Sequence, residues 1–108
     1  MSIIEKVFQN LKKENKKALI TYSIAGDPNL ESSEKIIRNF ISEGVDIIEV
    51  GIPFSDPMAE GPSIQLGHER ALKNNISLLS IMQMCLKIKN DHPNTPLVPV
   101  SYTHLTLP

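Results

Sequence analysis

A chain of 108 residues with ordinary apolar content and a formal net charge of −1 fits one soluble globular unit and argues against a disordered tail or a membrane protein. Lys12, Lys13, Lys16 and Lys17 are dense but offset by acids elsewhere, and no aromatic residues are interleaved to stack bases, so they read as a solvated helix end with no nucleic-acid partner. Cys85 is the single cysteine, which excludes an internal disulfide, and without a signal-like or bilayer-length apolar run the expected compartment is the cytoplasm, with no membrane association.

Ile3, Ile4, Val7, Phe8 and Leu11 recur at helical spacing with polar residues between them, which predicts a short amphipathic helix that closes the end of a core. Ala18 to Ile24 reads as a strand and stops at the turn Gly26-Asp27-Pro28. Asn29 can cap the helix that follows, with Ile36, Ile37, Phe40 and Ile41 as its buried face and Gly44 as its left-handed stop. Val45 to Ile52 is a second strand bounded by Pro53. A long connection to Asn75 follows, holding a short helix from Pro62 to about Leu72. Ser77 caps a further helix whose Leu78, Ile81, Met82, Cys85 and Ile88 share a face, with Cys85 as a core thiol, and Leu97 to Val100 is a third strand. Strands alternating with helices at this spacing imply parallel βαβ units; a doubly wound sheet and a barrel begin alike.

Glu49 interrupts an otherwise apolar second strand. By alternation it shares a face with Ile47 and Gly51, while Ile48 and Val50 point the other way. A carboxylate among apolar side chains is costly unless paired, which suits it to exchange protons near neutral pH, and the C-terminal end of a strand is where barrels and open α/β sheets carry their active sites. The alternative is a glutamate neutralised by a lysine on a neighbouring strand. His68, beside Glu69 and Arg70, and His92, before a proline, are expected at the solvated surface; no pair of histidines has metal-ligand spacing, and no Gly-rich phosphate loop is present.

The run IIEVGIPFSDPMAEGPSIQLGHERAL, Ile47 to Leu72, closely resembles the signature of tryptophan synthase alpha chains: a glutamate-bearing strand, then P-F-S-D-P, a small residue with an acid, G-P and I-Q. The Gly26-Asp27-Pro28 turn and the helix ending in Glu43-Gly44 extend the resemblance to about Val100. It implies the first part of a (β/α)8 barrel, about three parallel strands with flanking helices and not closed, since such barrels need roughly 250 residues. The implied reaction is retro-aldol cleavage of indole-3-glycerol phosphate to indole and glyceraldehyde 3-phosphate, in tryptophan biosynthesis. Glu49 matches the family's acid-base residue. Glu60 stands where the family usually has aspartate, a carboxylate that accepts the indole N–H. Tyr22, more often phenylalanine in the family, and Ile64 match positions lining the indole pocket.

Pro53, Asp56 and Pro57 fall in the loop that, in the family, touches the beta chain of an α2β2 tetramer. The resemblance implies no metal and no cofactor on this chain, with pyridoxal phosphate expected only on the beta chain. Residues 1–100 are expected to form the partial barrel domain, whereas residues 101–108, SYTHLTLP, resemble no barrel segment and read as an adaptor-like artefact. The competing expectations are a non-catalytic fragment or association module, and part of another phosphate-handling barrel enzyme.

Overall fold

The computed structural model describes residues 2–53 and 61–101. In chain order the elements are α1 (Ile3–Lys13), β1 (Ile20–Ile24), α2 (Leu30–Ser42), β2 (Ile47–Gly51), α3 (Pro62–Lys73), α4 (Leu78–Asp91) and β3 (Leu97–Val100). The strands form one parallel sheet in the order β1-β2-β3, so β2 is central among the described residues. Among the described residues the sheet is open, with β1 and β3 at its edges.

The helix limits follow from local chemistry. Ser2, Asn29 and Ser77 each accept a hydrogen bond from the backbone N–H three residues on, which satisfies a donor that the first helical turn leaves orphaned. At α3 a glycine, Gly61, precedes Pro62, whose missing N–H costs nothing at that position. Gly44 ends the α2 region at φ +94°, a conformation open to glycine and strained for other residues. The first two strands are shorter than the apolar runs that suggest them. Their lead-in residues are instead tied by the Asp46 carboxylate, which accepts from the Leu19 N–H at 2.8 Å.

Residue pairing divides the sheet into two faces. Ile20, Tyr22 and Ile24 stand beside Ile47, Glu49 and Gly51, and the last two stand beside Val98 and Val100. The opposite face carries Ile48 and Val50 beside Leu97 and Pro99. The core lies on this second face, where Ile48 and Val50 join Ile37 of α2 and Ile81, Met84 and Ile88 of α4. Arg38 bridges the two helices, bonding Glu34 at 3.0 Å and Asp91 at 2.8 Å. Burial lowers the Arg38 pKa, but the hydrogen bonds from its carboxylate partners outweigh that, and the guanidinium is held above its ordinary value.

Two expectations about α4 and α1 need correction. The buried stripe of α4 is Ile81, Met84 and Ile88, whereas Leu78 and Met82 are exposed and Cys85 is half-buried. The helix is apolar on two sides, so periodicity alone does not say which side meets the sheet. Its second side lines a groove of about 530 Å³ with Val50, Ile52, Leu97 and Pro99. Desolvation there raises the Cys85 thiol above its ordinary value, as expected of an unreactive cysteine. In α1 only Leu11 is buried, and Phe8 and Ile4 remain exposed.

Candidate active site

Glu49 lies at the middle of β2 on the face that α2 and α4 do not cover, half-buried, between Tyr22 and Val98. Neither neighbouring strand places a lysine beside it, so the ion-pair alternative finds no partner in the register. The alternation argument for its facing holds: Ile48 and Val50, on either side of it, are 0% and 1% exposed within the core.

Tyr22 crosses from β1 toward the C-terminal end of β2. Its ring and hydroxyl rest on Gly51, and a Cβ at that position would lie well inside van der Waals contact with the phenol oxygen and the adjoining ring carbon. Glycine is therefore required by close approach rather than by backbone angle. Gly51→Ala is expected to lower the unfolding midpoint in urea by the equivalent of about 1–3 kcal/mol, the usual cost of overpacking. In a Tyr22→Ala background the same change should cost little, because the clash has been removed. Equal costs in both backgrounds would show that Tyr22 does not occupy this seat.

The second wall of the site is α3, and it is not an ordinary crossover helix. Its Gly67 presses onto the end of β1: an added Cβ would lie 2.5 Å from Ile24 Cδ1 and 2.9 Å from Asp27 Oδ2. Since Ile24 shares the face of Tyr22 and Glu49, α3 borders that face at the C-terminal end of β1. The true crossover from β2 to β3 is α4, which packs on the opposite face. Ile64, Gly67, His68 and Ala71 follow the i, i+3, i+4, i+7 pattern of one helix side, and the last three are buried while Ile64 is half-buried.

His68 is accordingly only 1% exposed, which corrects the surface position expected from its charged neighbours Glu69 and Arg70. Those neighbours are exposed, as expected, but His68 lies on the side of the helix that carries Gly67 and Ala71 and is buried with them. His92 is half-buried. Pro53, directly after β2, is half-buried, and Asp56, Pro57 and Glu60 lie outside the described residues. The structure thus places Glu49 and Tyr22 side by side on one face of the sheet and packs α3, which carries Ile64, against the end of β1 that bounds it. No group of three or more His, Cys, Asp or Glu residues suited to a metal occurs among the described residues.

Sequence reasoning missed the tie that holds α3 in place. Arg70 donates two hydrogen bonds to Asp27, Nε to Oδ1 at 2.7 Å and Nη2 to Oδ2 at 3.0 Å, and Asn74 donates to the Pro28 carbonyl. The hydrogen bond to Asp27, then its charge, holds the Arg70 guanidinium above its ordinary pKa. An acid in a turn and a basic residue in a helix 43 positions later give no periodic signal by which to pair them.

The family model described as tryptophan synthase alpha chain matches residues 8–107. Among curated relatives, the tryptophan synthase alpha chain of Marinobacter nauticus is 49% identical over 102 residues, covering 94% of this chain and 38% of that protein. That of Petrotoga mobilis is 51% identical over 102 residues, covering 94% and 37%. Among solved structures, tryptophan synthase subunit alpha from Legionella pneumophila superposes with a TM-score of 0.90 at 39% identity, covering 94% of this chain and 39% of that one. Aminoacrylate-bound tryptophan synthase from M. tuberculosis gives a TM-score of 0.86 at 30% identity, covering 94% and 40%. The chain therefore spans somewhat over a third of the length of the relatives it matches, and its open sheet corresponds to the first three strands of their (β/α)8 barrel.

Proposed function

Because the chain belongs to the tryptophan synthase alpha chain family, we propose that it forms the acid-base half of an active site for retro-aldol cleavage of indole-3-glycerol phosphate. The observation that carries this reading is Glu49, a carboxylate on the face of the central strand that α2 and α4 do not cover, flanked by Tyr22, with α3 against the adjoining end of β1.

The reaction breaks the bond between the indole ring carbon and the glycerol chain. A proton goes onto that ring carbon, the hydroxyl on the adjacent side-chain carbon loses one, and indole and glyceraldehyde 3-phosphate separate. The protonated carboxyl of Glu49 gives the first proton, and its carboxylate takes the second, so the residue ends as it began. Ring protonation puts positive charge across the indole nitrogen. Glu60, accepting the N–H, favours that charged state over the ground state. Tyr22 and Ile64 supply apolar walls to the ring. The substrate's phosphate is held by loops that (β/α)8 barrels build after later strands, beyond Val100 in a family-length chain.

The remaining assignments rest on the family alone. Pro53, Asp56 and Pro57 face a beta chain, which carries the pyridoxal phosphate of the assembly, and this chain holds no cofactor of its own. No described helix is long and apolar enough to cross a membrane.

The test joins residues 1–100 to the remaining segment of the Marinobacter nauticus alpha chain and measures indole release. This family-length chain should cleave the substrate, whereas residues 1–100 alone should release none, because the face bearing Glu49 stays open to water. In the family-length chain Glu60→Asp should keep or raise turnover, restoring the family's usual reach, and Glu60→Ala should lower it about 100-fold. A family-length chain with no indole release refutes the reading; an alanine variant equal to its parent removes Glu60 from it.

A further inference from the structure

The contacts of Asp27 go beyond a surface ion pair. Its carboxylate is 17% exposed, sits in the turn directly after β1, and accepts both bonds of the Arg70 fork, one on each oxygen. Arg70 belongs to the same helix as Ile64, six residues nearer its N-terminus, and Gly67 between them touches both Ile24 and Asp27. Asn74, one turn beyond Arg70, bonds the Pro28 carbonyl of the same turn. On the other side Gly26 packs against Ile76, where an added Cβ would meet Cγ1 at 2.8 Å. The turn is thus gripped between α3 and the start of the α3–α4 link.

A helix is a rigid rod, so fixing it at one point and one rotation fixes the rest. Six residues at 1.5 Å each put Ile64 roughly 9 Å along the axis from Arg70. None of the residues of α3 joins the cluster between the sheet and α2 and α4, so that core does not hold the helix. Its placement rests on the buried side formed by Gly67, His68 and Ala71 and on the polar ties to the turn, and of these the Arg70 fork is the contact that fixes a direction. A lysine at position 70 would keep a charge but lose the fork that sets the rotation.

We propose that Asp27 and Arg70 are positioning residues for the substrate pocket: their bidentate pair sets the rotation and height of α3, and through it the approach of Ile64 to the indole ring. This deepens the proposed lyase reading and rests on it. The pair touches neither Glu49 nor β2, so it bears on how tightly the ring is held and not on proton transfer.

The test uses the family-length chain. Arg70→Ala should raise KM for indole-3-glycerol phosphate about tenfold and leave kcat within about twofold, the pattern of lost uniform binding. Arg70→Lys should recover part of the KM. On an Ile64→Ala background, Arg70→Ala should add less than about twofold to KM, because the group it positions is already gone. A lower kcat with unchanged KM would mean that the pair only keeps the protein folded, and full additivity with Ile64→Ala would mean that it does not act through that residue; either overturns the proposal.

Amide exchange separates this inference from the lyase reading. In Arg70→Ala the amides of residues 66–73 should exchange about tenfold faster while those of residues 81–88 do not change. If the parent chain releases no indole, the lyase reading fails and exchange alone decides whether the clamp exists. Unchanged exchange in α3, or equal acceleration in α4, overturns it.

Discussion

Glu49→Gln in the family-length chain should reduce indole formation by about 100- to 10,000-fold, the range that a positioned proton-transfer group contributes. The amide has nearly the carboxyl's shape, so the fold should survive, but it can neither give a proton to the ring carbon nor take one from the hydroxyl. Glu49 stands at the centre of the middle strand, with Tyr22 and Val98 as its register neighbours and no lysine beside it on either strand. A glutamate kept for an ion pair would tolerate glutamine with little loss of turnover. Near-parental indole release, at an unchanged thermal midpoint, would therefore remove Glu49 from the chemistry.

The second large effect is on stability. Ile48 is 0% exposed in the cluster where β2 meets α2 and α4. Truncating it to alanine removes three buried carbons and leaves a cavity that close packing allows to collapse only in part. The expected loss is about 2–5 kcal/mol. Urea unfolding of the family-length chain, with the slope held fixed, reads it directly. The same truncation at the exposed Ile20 should cost far less, because its side chain already meets solvent. Similar losses at both positions would contradict the assignment of the core to the face of Ile48.

Much of this architecture is legible in the residues, and the exceptions share a cause. The third strand, Leu97 to Val100, and the start of α4 after Ser77 follow from punctuation by proline and serine, and α3 begins at Pro62 as its neighbour Gly61 suggests. The facing of Glu49 follows from alternation, because a strand admits only two sides. Signals weaken where a helix has more than one plausible side. On α4 both Met82 and Met84 satisfy an apolar stripe, and only the position of the sheet selects Met84.

His68 shows the same limit from the polar direction. Flanking charges suggest solvent, but a helix laid against the end of β1 buries one side regardless of its neighbours in sequence. The grip of Arg70 on Asp27 is invisible for a further reason: it joins positions 43 apart, and nothing local marks either partner. The roles of Glu60, Asp56 and Pro57 come from the resemblance alone.

The connection from β2 to β3 divides its labour between two successive helices. One, α4, packs into the cluster beneath the sheet; the other, α3, contributes nothing to that cluster and lies against the end of β1 and the turn after it. Selection can therefore act on them separately. Substitutions at the half-buried Ile64 alter what fits beside Tyr22 without reaching the cluster around Ile48, whereas Gly67, pressed on Ile24, has no such freedom. A lineage could therefore drift toward a differently shaped ligand through the first turn of α3 while that cluster stays as it was. Changes in α4 carry no such independence, since any of them that reaches Ile81, Met84 or Ile88 disturbs the common core.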